Sequence, residues 1–187
     1  MDRRVKYTKK VIKETFLNLL ETKDISQITV KEICENADVN RATFYRYYLD
    51  IYDLLEKIEE DLIEDLLNSS PLEDLSSHSV YTFSKGILSI LYDNKKLVTI
   101  LFNTNRSLYF LNDILEICYS KLYNKWTSIH PEEDDEEIEY AAIYVFNGAL
   151  GIINYWVKEG FEKDMDYIAH SIEKLSIYGA KKFFTTN

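Results

Sequence analysis

The 187-residue sequence predicts an all-α protein, and three observations carry this prediction. Glycine and proline are scarce, with 5 and 2 copies, so the chain has few tight turns and favours long helices. Apolar residues recur three and four positions apart, which is the spacing of one face of an α-helix. Hydrophobic residues make up 46% of the chain, which is enough to form a core without disulfides or metal.

The first helix is expected to begin with Thr8 as its N-cap. Its apolar stripe consists of Val11, Ile12, Phe16, Leu19 and Leu20. A second helix is expected to begin at Thr29, because Glu32 follows three residues later in the pattern of a capping box. Val30, Ile33 and Cys34 supply its inner face.

A turn over residues 36–38 leads to Asn40, which is the expected N-cap of a third helix over residues 41–48. Phe44 and Tyr48 are four positions apart and are predicted to face inward. These elements form an N-terminal three-helix domain, predicted to span residues 1–50, with two short helices joined by a tight turn.

The remainder, residues 51–187, is predicted to be a second helical domain. Asp50 caps a linking helix from Ile51 to about Leu67, and five serines and a proline make residues 68–79 a linker. Further helices are predicted over 80–92, 95–103, 107–127, 135–159 and 164–183.

The segment 140–157 has no charged residue over 18 positions, a length that is marginal for a membrane span. We favour a buried helix instead and expect no membrane association, because the segment contains two asparagines and follows an acidic run. Its glycines would admit the last helix closely, and two such helices from each of two chains would form a four-helix dimer interface. The residues predicted for this interface are Gly148, Gly151, Ile152, Tyr155, Ile168, Ile172, Leu175 and Gly179.

Charge is distributed unevenly along the chain, whose net charge is −10. Residues 1–48 hold ten Lys or Arg and seven Asp or Glu, a net charge of +3, and the other residues hold 12 and 25, a net charge of −13. A basic head on an acidic body is expected when only the head contacts phosphate. An ordinary fluctuation would also produce +3, so charge by itself decides little.

The side chains of the third predicted helix suit the DNA major groove, which admits one helix. Arg41 can donate two hydrogen bonds to a guanine edge, and Ala42 permits close approach or contact with a thymine methyl group. Thr43, Tyr45 and Tyr47 offer hydroxyl groups, while Lys31 and the amides at Thr29 can hold the DNA backbone. The alternative is two surface helices with ordinary polar side chains, but Tyr45 and Tyr47 beside Arg41 and Arg46 make it less attractive.

The segment 29–48, TVKEICENADVNRATFYRYY, resembles the N-terminal domain of the TetR family of bacterial regulators, and the resemblance covers about Thr8 to Leu55. It implies a homodimeric repressor that binds a palindromic DNA operator and is released by a small ligand in its C-terminal domain. Base contacts would fall to Arg41, Ala42 and Tyr45, with Lys31 as a further base or phosphate contact. Phosphate contacts would fall to Thr29, Thr43 and Tyr47.

The sequence departs from this family pattern at two positions. Asp38 replaces the usual turn glycine and must adopt a left-handed conformation, which aspartate tolerates better than most residues. Ile51 replaces the lysine that usually opens the fourth helix, so one phosphate contact is missing. Either Tyr52 or nearby backbone substitutes for it, or the affinity for DNA is weaker.

The segment 140–160 contains Asn-Gly-x-x-Gly followed by Tyr-Trp, and it resembles a TetR subgroup that includes a regulator of dihydroxyacetone kinase genes. A member of that subgroup activates transcription together with a protein partner. A body that docks a partner protein is therefore the alternative to a body that binds a small-molecule effector.

Enzymatic function is not expected, because the sequence contains no phosphate-cradling glycine loop and no nucleophile elbow. His78, His130 and His170 are scattered, and the acids at 132–137 lack the glycine of a calcium loop, so we expect no metal and no cofactor. Two cysteines and the lack of an apolar signal segment favour a reducing cytoplasm. No ligand-binding residue is assigned.

Overall fold

The computed structural model describes residues 3–69, 80–102 and 134–184, together with 119, 123, 124, 127 and 128. Its helices confirm the all-α prediction, and no strand occurs within these residues. The helices are α1 (Arg3–Leu20), α2 (Val30–Ala37), α3 (Arg41–Tyr45), α4 (Ile51–Ser69), α5 (Val80–Asp93), α6 (Lys95–Phe102), α7 (Asp135–Lys158) and α8 (Met165–Phe184). The predicted linker beyond residue 69 and most of the predicted helix over 107–127 lie outside the described residues.

The chain divides into two compact units, Met1–Glu64 and Asp65–Asn187, which we call the head unit and the body unit. The division falls within α4. The expected boundary between functional domains, after residue 50, stays a prediction.

The head unit is held together by one apolar face from each of its helices. Phe16 of α1, Ile33 of α2, Phe44 of α3 and Leu54 of α4 are completely buried. Burying a side chain of this size contributes about 1.5–3 kcal/mol. Tyr48 is also buried, so the prediction that Phe44 and Tyr48 face inward is confirmed.

Helix α1 begins six residues earlier than predicted, at Arg3 rather than after Thr8. Thr8 is not an N-cap but an interior residue, whose hydroxyl donates to the carbonyl oxygen of Arg4 at 2.9 Å. Such i to i−4 bonds satisfy a threonine hydroxyl inside a helix. The basic N-terminal residues, which are good helix formers, therefore belong to the helix itself.

Only half of the capping box predicted at α2 is present. The Thr29 hydroxyl oxygen accepts a hydrogen bond from the Glu32 amide at 3.2 Å, but the Glu32 carboxylate contacts the Lys23 ammonium group. The reciprocal pair forms earlier, where Asp24 caps a short 3₁₀ helix over Ile25–Gln27 and Gln27 accepts from the Asp24 amide. The prediction is therefore confirmed for Thr29 as the N-cap and wrong for the reciprocal bond from Glu32.

The turn between α2 and α3 depends on the left-handed conformation of Asp38, with φ 53° and ψ 45°. Its amide donates to the carbonyl oxygen of Cys34, and so does the amide of Val39 at 3.0 Å. This pairing of a left-handed residue with the last helical carbonyls is a common helix ending. The conformation expected of Asp38 is confirmed.

In the body unit, α5 and α7 pack on α8, and α6 packs on α7. Apolar side chains at helical spacing fill the spaces between these helices, and Leu88, Leu101, Ile138 and Ala169 are almost completely buried. Among the described residues, no helix combines the length and the apolar character needed to cross a membrane.

Helix α7 ends in two successive left-handed residues, Gly160 with φ 69° and Phe161 with φ 62°. The buried ring of Trp156 lies 4.8 Å from the Phe161 ring in an edge-to-face arrangement. The indole N–H of Trp156 donates to the carbonyl oxygen of Lys163 at 2.8 Å. This packing turns the chain back into α8, and the predicted stop at Gly160 is confirmed.

We expect Gly160→Ala to lower the free energy of unfolding by about 1–2 kcal/mol, because a Cβ disfavours the left-handed conformation. No heavy atom lies within 4 Å of the position a Cβ would take, so a steric clash would not contribute. Gly86→Ala, in the interior of α5, is the matched control and should stabilise by up to about 1 kcal/mol. Thermal unfolding followed by circular dichroism measures both, and an unchanged or higher Tm for Gly160→Ala would contradict the expectation.

Candidate nucleic-acid interface

Helix α3 is short but well fixed at both its start and its inner face. Asn40 accepts a hydrogen bond from the Ala42 amide at 2.8 Å, which caps the helix. Phe44 anchors the inner face, while Arg41, Ala42 and Tyr45 are exposed to solvent. The structure therefore places the three predicted base-reading side chains together on the outer surface of one rigid helix.

The residues predicted to contact phosphate lie on α2 and α3 or next to them: Thr29 is the N-cap of α2, and Tyr47 follows the end of α3. Thr29 and Lys31 are exposed at the start of α2, and Thr43 and Tyr47 are half-buried. The Lys31 ammonium group lies 3.8 Å from the Glu35 carboxylate, with both side chains largely exposed. An exposed pair of this kind contributes little energy, so Lys31 can exchange its partner for a phosphate.

Tyr47 is held from two sides by lysines that the sequence analysis did not single out. The Lys9 ammonium group of α1 lies 5.7 Å from the centre of the Tyr47 ring. The Lys57 ammonium group of α4 donates to the Tyr47 carbonyl oxygen at 3.2 Å. Lys9 thus contacts the side chain that was predicted to contact phosphate, and Lys57 holds the backbone of the same residue.

The segment between α3 and α4 is fixed by a network around Asp53. Its carboxylate accepts from Lys57 at 2.8 Å and from the Leu49 amide at 2.8 Å. These bonds, first of all the one from Lys57, hold the pKa of Asp53 below its ordinary value. Lys57 also lies 5.6 Å from the centre of the Tyr48 ring, and burial raises the pKa of Tyr48 to about 12. The four-residue spacing of Asp53 and Lys57 was a readable signal for this pair.

The departure at Ile51 has a structural reason. Ile51 is 9% exposed and belongs to the core, whereas the amides of Tyr52 and Asp53 both donate to the Asp50 carboxylate at 2.8 and 2.9 Å. A carboxylate thus satisfies the amides that would otherwise attract an anion at the start of α4. Tyr52, which is exposed, remains available for a polar contact.

Cys34 is buried in α2, as expected of a small apolar residue. Burial raises the pKa of its thiol, and the nearby positive charge of Arg41 opposes this shift only in part. The thiol is therefore held in its neutral form and serves as packing.

Helix α7 exposes one face in the single chain, so the prediction of a helix buried on nearly all sides holds only for its other faces. Tyr140, Tyr144, Gly148, Gly151 and Tyr155 recur at three- and four-residue intervals and are all exposed. Ile152 is half-buried between this face and the core.

On α8 the predicted interface residues divide into two groups. Leu175 is exposed and Gly179 half-buried, whereas Ile168 and Ile172 are buried within the single chain. Close approach of α8 was expected at Gly148 and Gly151, but no heavy atom lies within 4 Å of a Cβ placed at either. The close approach occurs at Gly179 instead, where a Cβ would lie 3.2 Å from Cε1 of Tyr144.

A helix-turn-helix that is followed along the chain by a helical domain is typical of DNA-binding regulators. Two family models match this chain: residues 14–58 match the bacterial regulatory proteins of the tetR family, and residues 78–178 match a transcriptional regulator C-terminal region. The protein belongs to the TetR family of transcriptional regulators, which confirms the resemblance seen in the sequence.

Two curated relatives agree with this assignment. The uncharacterized HTH-type transcriptional regulator YxbF of Bacillus subtilis is 28% identical over 182 residues, 92% of this chain and 45% of the relative. The dhaKLM operon transcriptional activator DhaS of Lactococcus lactis is 33% identical over 63 residues, 34% of each protein. In these two sequence alignments the chain thus covers less than half the length of each relative.

Solved structures share the fold over almost the whole chain. The dihydroxyacetone kinase operon activator DhaS superposes with a TM-score of 0.68 at 22% identity, covering 94% of this chain and 97% of its own. NalD, the secondary repressor of the MexAB-OprM efflux pump in Pseudomonas aeruginosa, gives a TM-score of 0.64 at 20% identity, covering 95% and 98%.

The network around Asp53 predicts a pH-dependent contribution to stability. Folding lowers the pKa of the Asp53 carboxyl group below its unfolded value of 3.8. The group therefore stabilises the protein at pH values above 3.8, and this contribution is lost as the pH falls through the pKa of the folded state. Asp53→Asn should therefore lower the Tm at pH 7, and the difference from the unsubstituted protein should vanish as the pH falls below 3.8. Glu56→Gln, an exposed carboxylate of the same helix, is the control. A Tm difference for Asp53→Asn that is independent of pH would contradict this role.

Proposed function

We propose that the protein is a homodimeric transcriptional repressor that binds a palindromic operator in double-stranded DNA and is released by a small-molecule effector bound in the body unit. The observation that carries the proposal is the exposure of Arg41, Ala42 and Tyr45 on a helix anchored by Phe44. In this proposal the chain acts in the cytoplasm, carries no catalytic activity and needs no cofactor.

The proposed contacts follow from the side chains available on the two helices. Arg41, Ala42 and Tyr45 read base edges, with Lys31 as a further base or phosphate contact. Thr29, Thr43 and Tyr47 bind phosphates and set the position of α3 in the groove. A two-fold dimer places the two α3 helices in half-sites about 34–36 Å apart on one face of the duplex.

Arg41→Ala tests base reading. Loss of a bidentate contact to guanine costs about 1–3 kcal/mol, so the affinity for the specific operator should fall by roughly fivefold to 150-fold per half-site. Affinity for mixed-sequence genomic DNA should fall only modestly, as with the loss of any single charge. Arg46→Ala, an exposed arginine just beyond α3, removes the same charge and is the matched control. Titrations on footprinted operator and on mixed DNA measure both, and equal losses on the two DNAs would refute base reading.

The proposed dimer surface is the exposed face of α7 with the adjacent residues of α8. Exposed apolar side chains that are contiguous along a helix face are typical of interaction sites on soluble proteins. We assign to it the exposed or half-buried predicted residues and leave out Ile168 and Ile172, because their side chains are buried in the single chain. The assigned residues are Gly148, Gly151, Ile152, Tyr155, Leu175 and Gly179.

Tyr155→Glu and Leu175→Glu test this surface. The two side chains are 64% and 60% exposed in the single chain, so charge at either position should not prevent folding. Each should shift the molar mass measured by light scattering towards that of one chain, because a buried unpaired carboxylate opposes association. Thr99→Glu adds the same charge at an exposed position of α6 and should leave the mass unchanged. A dimeric mass for both variants would exclude this face.

The alternative is a DNA-binding coactivator whose body unit docks a partner protein. The 33% sequence identity with the activator DhaS over 63 residues favours this alternative. A pull-down with and without operator DNA tests for the partner. A reporter carrying the gene's own upstream region, read with and without the regulator, gives the sign of regulation, and higher expression with the regulator would favour the alternative.

A further inference from the structure

The first three turns of α1 carry a concentrated positive charge. Helix α1 contains six Lys or Arg residues and one acid, Glu14, a net charge of +5. Lys6, Lys9 and Lys13 are spaced i, i+3 and i+7, so their side chains lie along one face of the helix. We call these three residues the α1 basic strip.

The orientation of this strip is fixed by the core. Ile12 and Phe16, on the neighbouring face of α1, are completely buried in the head unit. Lys9 and Lys13 are consequently half-buried, and Lys6 is exposed. Long lysine side chains in this position pack their aliphatic stems on the protein and hold the ammonium groups at the surface.

The strip borders the proposed DNA interface. Lys9 lies 5.7 Å from the centre of the Tyr47 ring, and Tyr47 is a proposed phosphate contact. The axial rise from Lys6 to Lys13 is about 10.5 Å, since an α-helix rises 1.5 Å per residue. That length equals the rise of about three base pairs along the axis of the duplex, at 3.4 Å each.

In the part of the chain that the structure describes, no acidic side chain neutralises the positive charge of the α1 basic strip. Lys10, next to the strip, is paired with Glu14 at 3.7 Å. Within the described residues no ion pair joins an acid to Lys6, Lys9 or Lys13. Three like charges along one helix face repel one another, and polyanionic phosphate relieves this repulsion.

We propose that Lys6, Lys9 and Lys13 bind the DNA backbone beside the phosphate held by Tyr47, and so extend the protein–DNA contact from α2 and α3 onto α1. This inference rests on the proposed DNA-binding function. Its contacts are electrostatic and carry no base specificity, so they act equally on operator and on other duplexes.

The salt dependence of binding to footprinted operator tests the strip. Each phosphate contact contributes about 0.9 to the slope of log K against log salt concentration. Lys9→Gln should therefore reduce the slope by about 0.9 per protomer, or roughly 1.8 for a dimer. The triple variant Lys6→Gln, Lys9→Gln, Lys13→Gln should reduce it further, with parallel losses on mixed-sequence DNA.

Lys163→Gln removes the same charge from an exposed position between α7 and α8 and should leave the slope unchanged. Lys9→Arg should keep the wild-type slope, because it retains the charge. A merely structural role of Lys9, through the Tyr47 ring, would lower the Tm of Lys9→Gln and its affinity without changing the slope, and that result would overturn the proposal.

The two proposals fail in different ways. A wild-type protein that binds no duplex would refute the DNA-binding function itself. A wild-type protein that binds operator while the triple variant keeps its slope would refute the α1 basic strip and leave the DNA-binding function intact.

Discussion

The burial of Phe44 is the constraint on which the head unit depends. Helix α3 has five residues, and an isolated helix of that length is unstable in water. Its conformation is imposed by the completely buried Phe44 ring, which lies 5.4 Å from the Tyr48 ring and 5.7 Å from the Tyr45 ring. Because Phe44 fixes the rotation of α3 about its axis, the backbone positions of Arg41 and Tyr45 stay on its outer side.

The sequence was sufficient for the turn at Asp38 and for the core face around Phe44, which depend on neighbouring residues. Helical spacing placed Phe44 and Tyr48 in the core, and the tolerance of aspartate for left-handed φ anticipated the turn at Asp38. The capping prediction failed at Glu32 because its carboxylate has a competing partner, Lys23, nine residues earlier. The contact between Lys9 and Tyr47 joins residues 38 positions apart, and no local pattern specifies such a pair.

The chain has a net negative charge, and the positions of carboxylates within the head unit make this compatible with DNA binding. Asp50 and Asp53 accept hydrogen bonds from backbone amides at the start of α4, and Asp53 also pairs with Lys57. Their charges are therefore used in capping a helix whose usual phosphate-binding lysine is replaced by Ile51. The bases of α1 have the opposite character, since only Lys10 among the last four of them has an acidic partner at i+4. Asp50 and Asp53 are thus engaged by backbone amides and Lys57, whereas Lys6, Lys9 and Lys13 form no ion pair with an acid among the described residues.

The exposed face of α7 and the α1 basic strip are surfaces that the described single chain leaves without a partner, and they require different chemistry. Exposed tyrosine rings and glycines at helical spacing can pack against another helix, whereas three lysines along one helix face can bind phosphates. If a second copy covers the α7 face, each DNA-bound assembly carries two α1 basic strips and its phosphate contacts double. The salt dependence of binding would then be set by the dimer rather than by the chain, because log K falls in proportion to the total number of phosphates contacted. Weakening the α7 face would consequently reduce the salt slope through association, without altering any residue that touches DNA.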